Sequence, residues 1–370
     1  MRIGIDLRLP TYQMGGISQY ALHLLPALAA IDSDHEFVLF HSRKEDRSFL
    51  PVDDRRYVRK NLWTPCHYRF ERWTLGAELL PYGLDVLHSP DFIPPAWGAE
   101  RKIITVHDLN FVYYPQFLTA ESRRYYLDQI HWAAEKADHI SADSHATRID
   151  VIKMLGIPEH KVTTVHLAAN SVYSEQFKEE NIEQTLRRHD LPRGFILFVG
   201  TLEPRKNLPM LIKVYNRMRK EQDLELPLVL VGAKGWEAGE IFATINSLNL
   251  ESSVRHLTGI YDRELAHLYH AAGVLVTPSH YEGFGLPALE AQHCDCPVVV
   301  SNRGSLPEIV GENGVMLDPD DLDSWVDTLD RVLSDGSLCE KMIKNGRRQA
   351  KKFCWEKTAR QTMEIYEGKG

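Results

Sequence analysis

The sequence lacks most of the features that would assign it quickly, and each absence removes a class. Only five cysteines occur in 370 residues. Cys66, Cys294, Cys296, Cys339 and Cys354 are an odd set without paired metal-ligand spacing, so neither a disulfide framework nor a zinc site is expected and the thiols should be reduced. No run approaches the ~18 apolar residues of a membrane span. The chain opens on the strand-like Arg2-Ile3-Gly4-Ile5-Asp6 instead of an apolar signal core, which leads us to expect a soluble, cytoplasmic protein. Positive charge is also short: 43 Lys and Arg stand against 51 Asp and Glu, for a net charge of −8. That balance argues against a general electrostatic grip on nucleic acid or anionic lipid. One basic concentration stands out, at Arg55, Arg56, Arg59, Lys60, Arg69 and Arg72. It reads either as a peripheral contact with the inner face of a membrane or as a solvated face paired with Asp53, Asp54 and Glu71. A third glycine is missing after Gly15-Gly16, where Ile17-Ser18-Gln19 follows, so the dinucleotide fingerprint is absent and a nicotinamide enzyme is disfavoured.

What is present is length and alternation. A chain of 370 residues exceeds the size at which one core usually keeps growing, so two domains are expected. Strand-like runs at 3–7, 36–40, 85–88, 102–106, 139–142 and 162–165 alternate with helical stretches, the first of which repeats Ile17, Tyr20, Ala21, Leu24, Leu25 and Leu28 at helical spacing. That alternation implies a parallel sheet. Between 42 and 82 the pattern weakens, and Tyr68-Arg69-Phe70-Glu71-Arg72-Trp73 mixes bases with aromatics, as an acceptor surface or any half-buried helix would. Residues 171–193 turn polar and charged and are expected to be an interdomain linker. A second alternation, at 195–199, 228–231, 254–257, 274–276 and 297–300, predicts a second doubly wound domain. The expected division is 1–170, a linker at 171–193, and 194–354.

The densest chemistry lies directly after the run Val274-Leu275-Val276, in Thr277-Pro278-Ser279-His280-Tyr281-Glu282-Gly283-Phe284-Gly285-Leu286-Pro287-Ala288-Leu289-Glu290. It reads as strand, loop and helix start. Pro287 suits a first helical turn, and Gly283 and Gly285 allow a tight turn and close approach to a ligand. Helix-start N–H groups at Phe284, Gly285 and Leu286 favour an anion such as phosphate. Glu282 before the loop and Glu290 inside the helix frame that site. The plainer reading gives Glu290 to the helix dipole and Glu282 to solvent. Gly15-Gly16 ahead of the first helix suits either a phosphate or a simple helix-entry turn. His107 ends the Ile103–Val106 run, and Arg205 and Lys206 lie a short loop beyond 195–199. Facing domains would bring these strand-end groups together.

Glu282 and Glu290, with Gly-Phe-Gly-Leu-Pro between them, resemble the paired-glutamate signature of the retaining glycosyltransferases of family 4. Phe198-Val199-Gly200-Thr201-Leu202-Glu203-Pro204-Arg205-Lys206-Asn207 resembles the donor-phosphate loop of that family, and Gly15-Gly16 and Thr105-Val106-His107-Asp108 resemble its N-terminal elements. The resemblance spans nearly the whole chain. It implies the GT-B fold, an α/β architecture of two facing doubly wound Rossmann-like domains, with residues 355–370 forming a helix that crosses back to the first. It also implies roles: Lys206 on the donor phosphates, Glu290 on the nucleotide ribose, Glu282 on the transferred sugar, His107 at the sugar or reaction centre, and the 284–286 N–H groups on diphosphate. Where family members commonly carry arginine after the glycine equivalent to Gly200, this chain has Thr201. One phosphate contact is thereby in doubt, and Arg205 either supplies the charge or faces solvent beside Glu203.

The expectation is a metal-independent retaining hexosyltransferase. It would move mannose or glucose from a nucleotide-sugar co-substrate, GDP-mannose or a UDP-sugar, to a growing glycan or lipid-linked acceptor in cell-surface polysaccharide synthesis, with no cofactor. Two carboxylates invite a glycosidase, but hydrolysis explains neither the helix-start loop nor Pro204-Arg205-Lys206-Asn207. The alternatives are a nucleotide-sugar epimerase of the same fold and a non-catalytic sugar-nucleotide-binding protein.

Overall fold

The computed structural model describes the chain except residues 13–15, 50–53, 118–119 and 236, and except the side chains of 117, 120–122, 124 and 125. The chain divides into two compact units, Met1–Leu167 with Cys354–Gly370, and Ala168–Phe353.

The first unit holds a seven-stranded parallel sheet built from β1 (Arg2–Asp6), β2 (Glu36–Ser42), β3 (Tyr57–Leu62), β4 (Leu84–Ser89), β5 (Ala99–Val106), β6 (His139–Ala142) and β7 (Val162–Thr164). Its order is β3-β2-β1-β4-β5-β6-β7. Inner strands such as β5 and β6 end in apolar residues because both sheet faces are covered: Ile104, Val106, Ile140 and Ala142 are fully enclosed. The strand β3 was not expected from the sequence. It lies at the sheet edge, pairing only with β2 from Phe37↔Tyr57 to Ser42↔Leu62, and its Arg-Lys-Asn centre is tolerated because little of it is buried.

The helix Gly16–Ala29 buries Tyr20, Ala21, Leu24, Leu25 and Leu28 of the stripe its spacing predicted, while Ile17 is only half-buried. The final helix, Trp355–Tyr366, packs on it. Buried polar contacts fix that docking. The Tyr366 hydroxyl lies 2.7 Å from Nδ1 of His88, whose Nε2 is 2.8 Å from the Thr105 hydroxyl, and Thr358 Oγ1 donates to the His166 carbonyl at 2.6 Å. A second buried knot ties the β1 end to the helix Glu71–Leu79. Arg8, 1% exposed, donates to Asp6 at 2.6 Å, to Glu71 at 2.7 Å and to the Thr64 carbonyl at 2.8 Å.

The second unit holds a six-stranded parallel sheet of β8 (Ile196–Val199), β9 (Leu228–Val231), β10 (Val254–Leu257), β11 (Val274–Thr277), β12 (Val298–Ser301) and β13 (Val315–Leu317), ordered β10-β9-β8-β11-β12-β13. The short edge strand β13 escaped sequence reading. The polar stretch expected as a linker at 171–193 is a different object. Residues Glu179–His189 form a helix that buries Ile182, Thr185 and Leu186 against the helix Asp262–Ala271, with Thr185 Oγ1 2.8 Å from His267 Nδ1. Only one helical face is apolar, so composition alone reads it as polar. Its acids, Glu179 and Glu180, sit in the first turn and its bases, Arg187, Arg188 and His189, in the last, as the helix dipole favours.

Among the described residues no helix is long and apolar enough to cross a membrane.

Candidate functional site

In an open parallel sheet, a crevice forms at the carboxyl ends of the two strands where the winding order reverses. In the second unit those strands are β8 and β11. The loop after β8 carries Gly200 to Asn207 and the loop after β11 carries Pro278 to Gly285, so tertiary topology places side by side two segments that lie about 77 residues apart in sequence. Glycine is needed at the strand ends: a Cβ on Gly232 would fall 2.0 Å from the Gly200 carbonyl oxygen.

A 3-10 turn at Pro204–Lys206, closed by Asn207 at φ 55°, turns Lys206 inward, where it is 7% exposed. Its Nζ lies 2.6 Å from Oε1 of Glu282, and the Ser279 hydroxyl donates to the same oxygen at 2.7 Å. Arg205 Nη1 donates to Oε2 of Glu282 at 3.0 Å and to the Tyr281 carbonyl at 2.9 Å, while its Nε is 2.7 Å from Glu203. Burial would raise the Glu282 pKa, but Lys206 and Arg205 overcome it and hold the carboxyl at about 2. Burial also draws the Lys206 ammonium below its ordinary range, opposed by Glu282. Two cations and two carboxylates thus neutralise one another in this knot. A carboxylate with both oxygens in ion pairs is a poor base and a poor nucleophile. Its reading as a solvated loop residue is wrong, because Glu282 is 7% exposed and fully engaged.

The loop that follows is braced from behind. Ser305 donates its N–H to the Glu282 carbonyl at 3.1 Å and its hydroxyl to the Phe284 carbonyl at 2.6 Å. Gly304, at φ 56°, is required there, since a Cβ would sit 2.5 Å from the Glu282 carbonyl oxygen. Phe284 is buried with its ring edge-on to Phe353. Gly285, at φ 100°, precedes the helix Leu286–His293. The first-turn N–H groups have no intrahelical carbonyl to reach.

Glu290, in the second turn of that helix, is half-buried and accepts from the Tyr269 hydroxyl at 2.9 Å. Burial pushes its carboxyl up to about 7, Tyr269 opposing. The two glutamates of the motif therefore differ sharply, one clamped by cations and one half-buried with a neutral partner.

His107 belongs to the first unit, at the end of β5. Its Nδ1 lies 2.6 Å from Asp143 Oδ2 and its Nε2 2.7 Å from the Pro90 carbonyl. With Asp143 ionised both partners accept, so both ring nitrogens donate and the ring is an imidazolium; burial raises the Asp143 carboxyl as well, and the His107 charge opposes that rise. Burial opposes that charge, but Asp143 outweighs it and raises the pKa to about 9. The Tyr20 ring packs edge-on at 5.1 Å. Asp108 turns away and caps the Asn110 N–H at 2.9 Å. Gly16 is exposed at its helix start, and Gly15 lies outside the described residues. Thr201 is exposed, and the Arg205 guanidinium is committed to Glu203 and Glu282. Sequence reading missed Asp143, Ser279, Tyr269 and Ser305. Only Ser279, three residues before Glu282, had a local cue.

Comparison with known proteins follows this geometry. Residues 14–171 match the family model for glycosyltransferase family 4 and residues 178–349 that for glycosyl transferases group 1. The chain is 32% identical over 373 residues to the O-antigen chain mannosyltransferase B of Escherichia coli, covering 96% of each chain. Among solved structures it resembles a sucrose-phosphate synthase of Thermosynechococcus elongatus, at TM-score 0.78 and 23% identity over 99% of this chain and 98% of that one. It also resembles HepE of Anabaena, solved with UDP-glucose, at TM-score 0.76 and 15% identity over 100% of both.

Proposed function

The chain belongs to the GT-B glycosyltransferases of the family 4 and group 1 type, and from that premise we propose that it is a retaining, metal-independent hexosyltransferase of cell-surface polysaccharide synthesis. The donor is a nucleotide-sugar and the hexose is mannose in the first instance, as in the name of the Escherichia coli relative. GDP-mannose and a UDP-sugar are the two donor candidates. The acceptor is a growing glycan or a lipid-linked saccharide.

The observation that carries this reading is the Lys206–Glu282–Arg205 knot beside a helix start at the strand-order reversal. Departure of a nucleoside diphosphate needs its growing charge stabilised by pre-positioned cations and N–H groups. Lys206 supplies the first and the 284–286 backbone the second. Glu282, held ionised and saturated, orients the hexose and offsets positive charge building at the anomeric carbon without forming a bond to it. The acceptor hydroxyl then attacks on the face the diphosphate leaves, its proton passing to a leaving phosphate oxygen. Configuration at the anomeric carbon is retained. His107, fixed as a cation with both N–H groups engaged, contributes its charge and shape and does not shuttle protons. Glu290 takes the ribose hydroxyls.

A thermal-shift series with UDP, GDP, ADP and their sugars tests the donor class. Ligand at ~100 times its dissociation constant adds about 2.7 kcal/mol of stability, so one base should stand out; no response to any of them would sink the reading. Transfer should survive EDTA, since the cations and helix-start N–H groups do the work a metal does elsewhere. Activity lost to chelator and restored by magnesium or manganese would overturn that part.

Glu290 gives a pH dependence. Ribose hydroxyls donate to an ionised carboxylate, so donor affinity should rise as pH passes through about 7 and flatten above it. The donor-free protein should behave oppositely. A carboxyl raised above its ordinary 4.5 contributes stability that is intact below about 4.5 and lost as pH rises through about 7. Stability measured from pH 4 to pH 8 and donor binding measured from pH 6 to pH 8.5, on the protein and on Glu290→Gln, check the two in turn, and equal slopes of donor affinity in the two proteins would remove Glu290 from the ribose.

A further inference from the structure

One buried carboxylate in the first unit is spent on a single contact. β5 and β6 pair in register as far as Val106↔Ala142, so the residues that follow, His107 and Asp143, leave the sheet side by side. Asp143 is 2% exposed, and its Oδ2 lies 2.6 Å from His107 Nδ1. Its Oδ1 is enclosed and has no hydrogen-bond partner among the described residues. A buried carboxylate ordinarily gathers several donors, because an enclosed oxygen left unpaired is costly. Asp143 is instead committed to the imidazole. The turn it begins also holds the histidine by its backbone: Ser144 accepts the Thr147 N–H at 3.0 Å to cap the helix His145–Leu155, and Thr147 Oγ1 donates to the His107 carbonyl at 3.3 Å. The Pro90 carbonyl takes Nε2 at 2.7 Å. His107 is thus fixed at both ring nitrogens and at its carbonyl by the segments that follow β4 and β6, the strands on either side of β5.

The other titratable groups around the pair leave the state of the ring to Asp143. Asp91 faces His107 from the loop after β4, but it is paired with His67 Nε2 at 2.5 Å and takes the Phe92 N–H at 2.8 Å. Asp108 and His166 face Asp143; Asp108 caps the Asn110 N–H at 2.9 Å, and the His166 ring packs edge-on to His145 at 5.0 Å. His88, on β4, is enclosed between the Tyr366 and Thr105 hydroxyls, and burial together with the His107 charge holds its pKa at about 3. Burial also pushes up the Tyr20 phenol, whose ring lies edge-on to His107 at 5.1 Å. Neither His88 nor Tyr20 therefore adds charge. Without the Asp143 carboxylate, the ring would keep its bond to Pro90 through a neutral tautomer protonated on Nε2, so it would lose its charge and not its place.

We propose that Asp143 is a positioning residue for the transfer reaction: through Oδ2 it keeps the His107 ring charged and in one orientation at the reaction centre. This rests on the role given to His107 above, so the pair and the reaction are read separately. In protein labelled with 15N at histidine, the His107 ring, assigned by its loss in His107→Gln, should carry a proton on both nitrogens from pH 6 to pH 8, since Asp143 raises its pKa to about 9. In Asp143→Asn it should hold one proton at pH 8. That spectrum needs no donor, so failure of the transferase reading leaves it untouched. Turnover is then compared at saturating donor, as the ratio of Asp143→Asn to the unaltered protein, so that titrations common to both cancel. The ratio should rise by about 10-fold as pH falls from 8 to 6, because an imidazole with an ordinary pKa of ~6.5 regains its proton over that range. Asp143→Glu, which keeps the carboxylate, should give a ratio that is flat with pH. A purely structural Asp143 would lower turnover by the same factor at every pH. Two results would overturn the proposal: a His107 ring with a single proton in the unaltered protein, which would leave the other proton on Asp143, or an Asp143→Asn ratio independent of pH. Should Asp143→Asn fail to fold, the spectrum of the unaltered protein and the Asp143→Glu profile still decide it.

Discussion

Replacing Glu282 by glutamine should lower turnover by about 10²-fold, on the order of 2.7 kcal/mol of transition-state stabilisation, while the bare nucleoside diphosphate binds at least as tightly. The second half follows from the knot. A neutral amide no longer neutralises Lys206 and Arg205, both of which lie within 3.0 Å of the carboxylate, so their charge becomes available to diphosphate. Glu290→Gln should do the reverse, weakening nucleotide binding with a smaller loss of turnover at saturating donor. Steady-state kinetics beside calorimetry with the free nucleotide separate the two. Full turnover in Glu282→Gln, or lost affinity for the nucleotide, would make the loop a nucleotide clamp and leave His107 alone at the reaction centre.

Lys206→Ala should cost both donor affinity and stability. Removing one partner of a buried ion pair leaves the other charge enclosed, at a typical cost of 3–5 kcal/mol. Arg205 and Ser279 still hold Glu282, so the lower end, about 3 kcal/mol, is expected from the shift in urea midpoint. The pH profile gives an independent reading. Glu282 titrates near 2 in the folded protein, below its ordinary 4.5, so it contributes stability above about 4.5 that is lost as pH falls through about 2. Lys206→Ala should shrink that contribution. Adding Glu282→Gln to Lys206→Ala should recover stability without recovering transfer, because it removes the stranded charge but not the need for both groups. A double variant no more stable than Lys206→Ala would mean that the pair is not coupled as its 2.6 Å contact requires.

The fold was legible where burial is uniform. Runs such as Val274–Val276 and Leu228–Val231 are apolar because both faces of an inner parallel strand are covered, and each is a strand in the structure. Legibility failed at edges and on one-sided helices. The edge strands β3 and β13 need no continuous apolar run, and the helix Glu179–His189 shows core only on the face carrying Ile182, Thr185 and Leu186.

Sequence by itself determined the residue types of the site and their order along the chain. Glycines, a proline and two glutamates after one strand, and a Pro-Arg-Lys-Asn run after another, are local patterns set by turn geometry and strand ends. Only the tertiary structure decided what those residues are to one another. The reversal of strand order between β8 and β11 sets Lys206 and Arg205 against Glu282, and the neighbouring helix sets Tyr269 against Glu290, so two identical side chains eight positions apart acquire pKa values near 2 and near 7. A sequence does not carry that difference, because it arises from desolvation and from charges brought within 3.0 Å by contacts spanning about 77 residues.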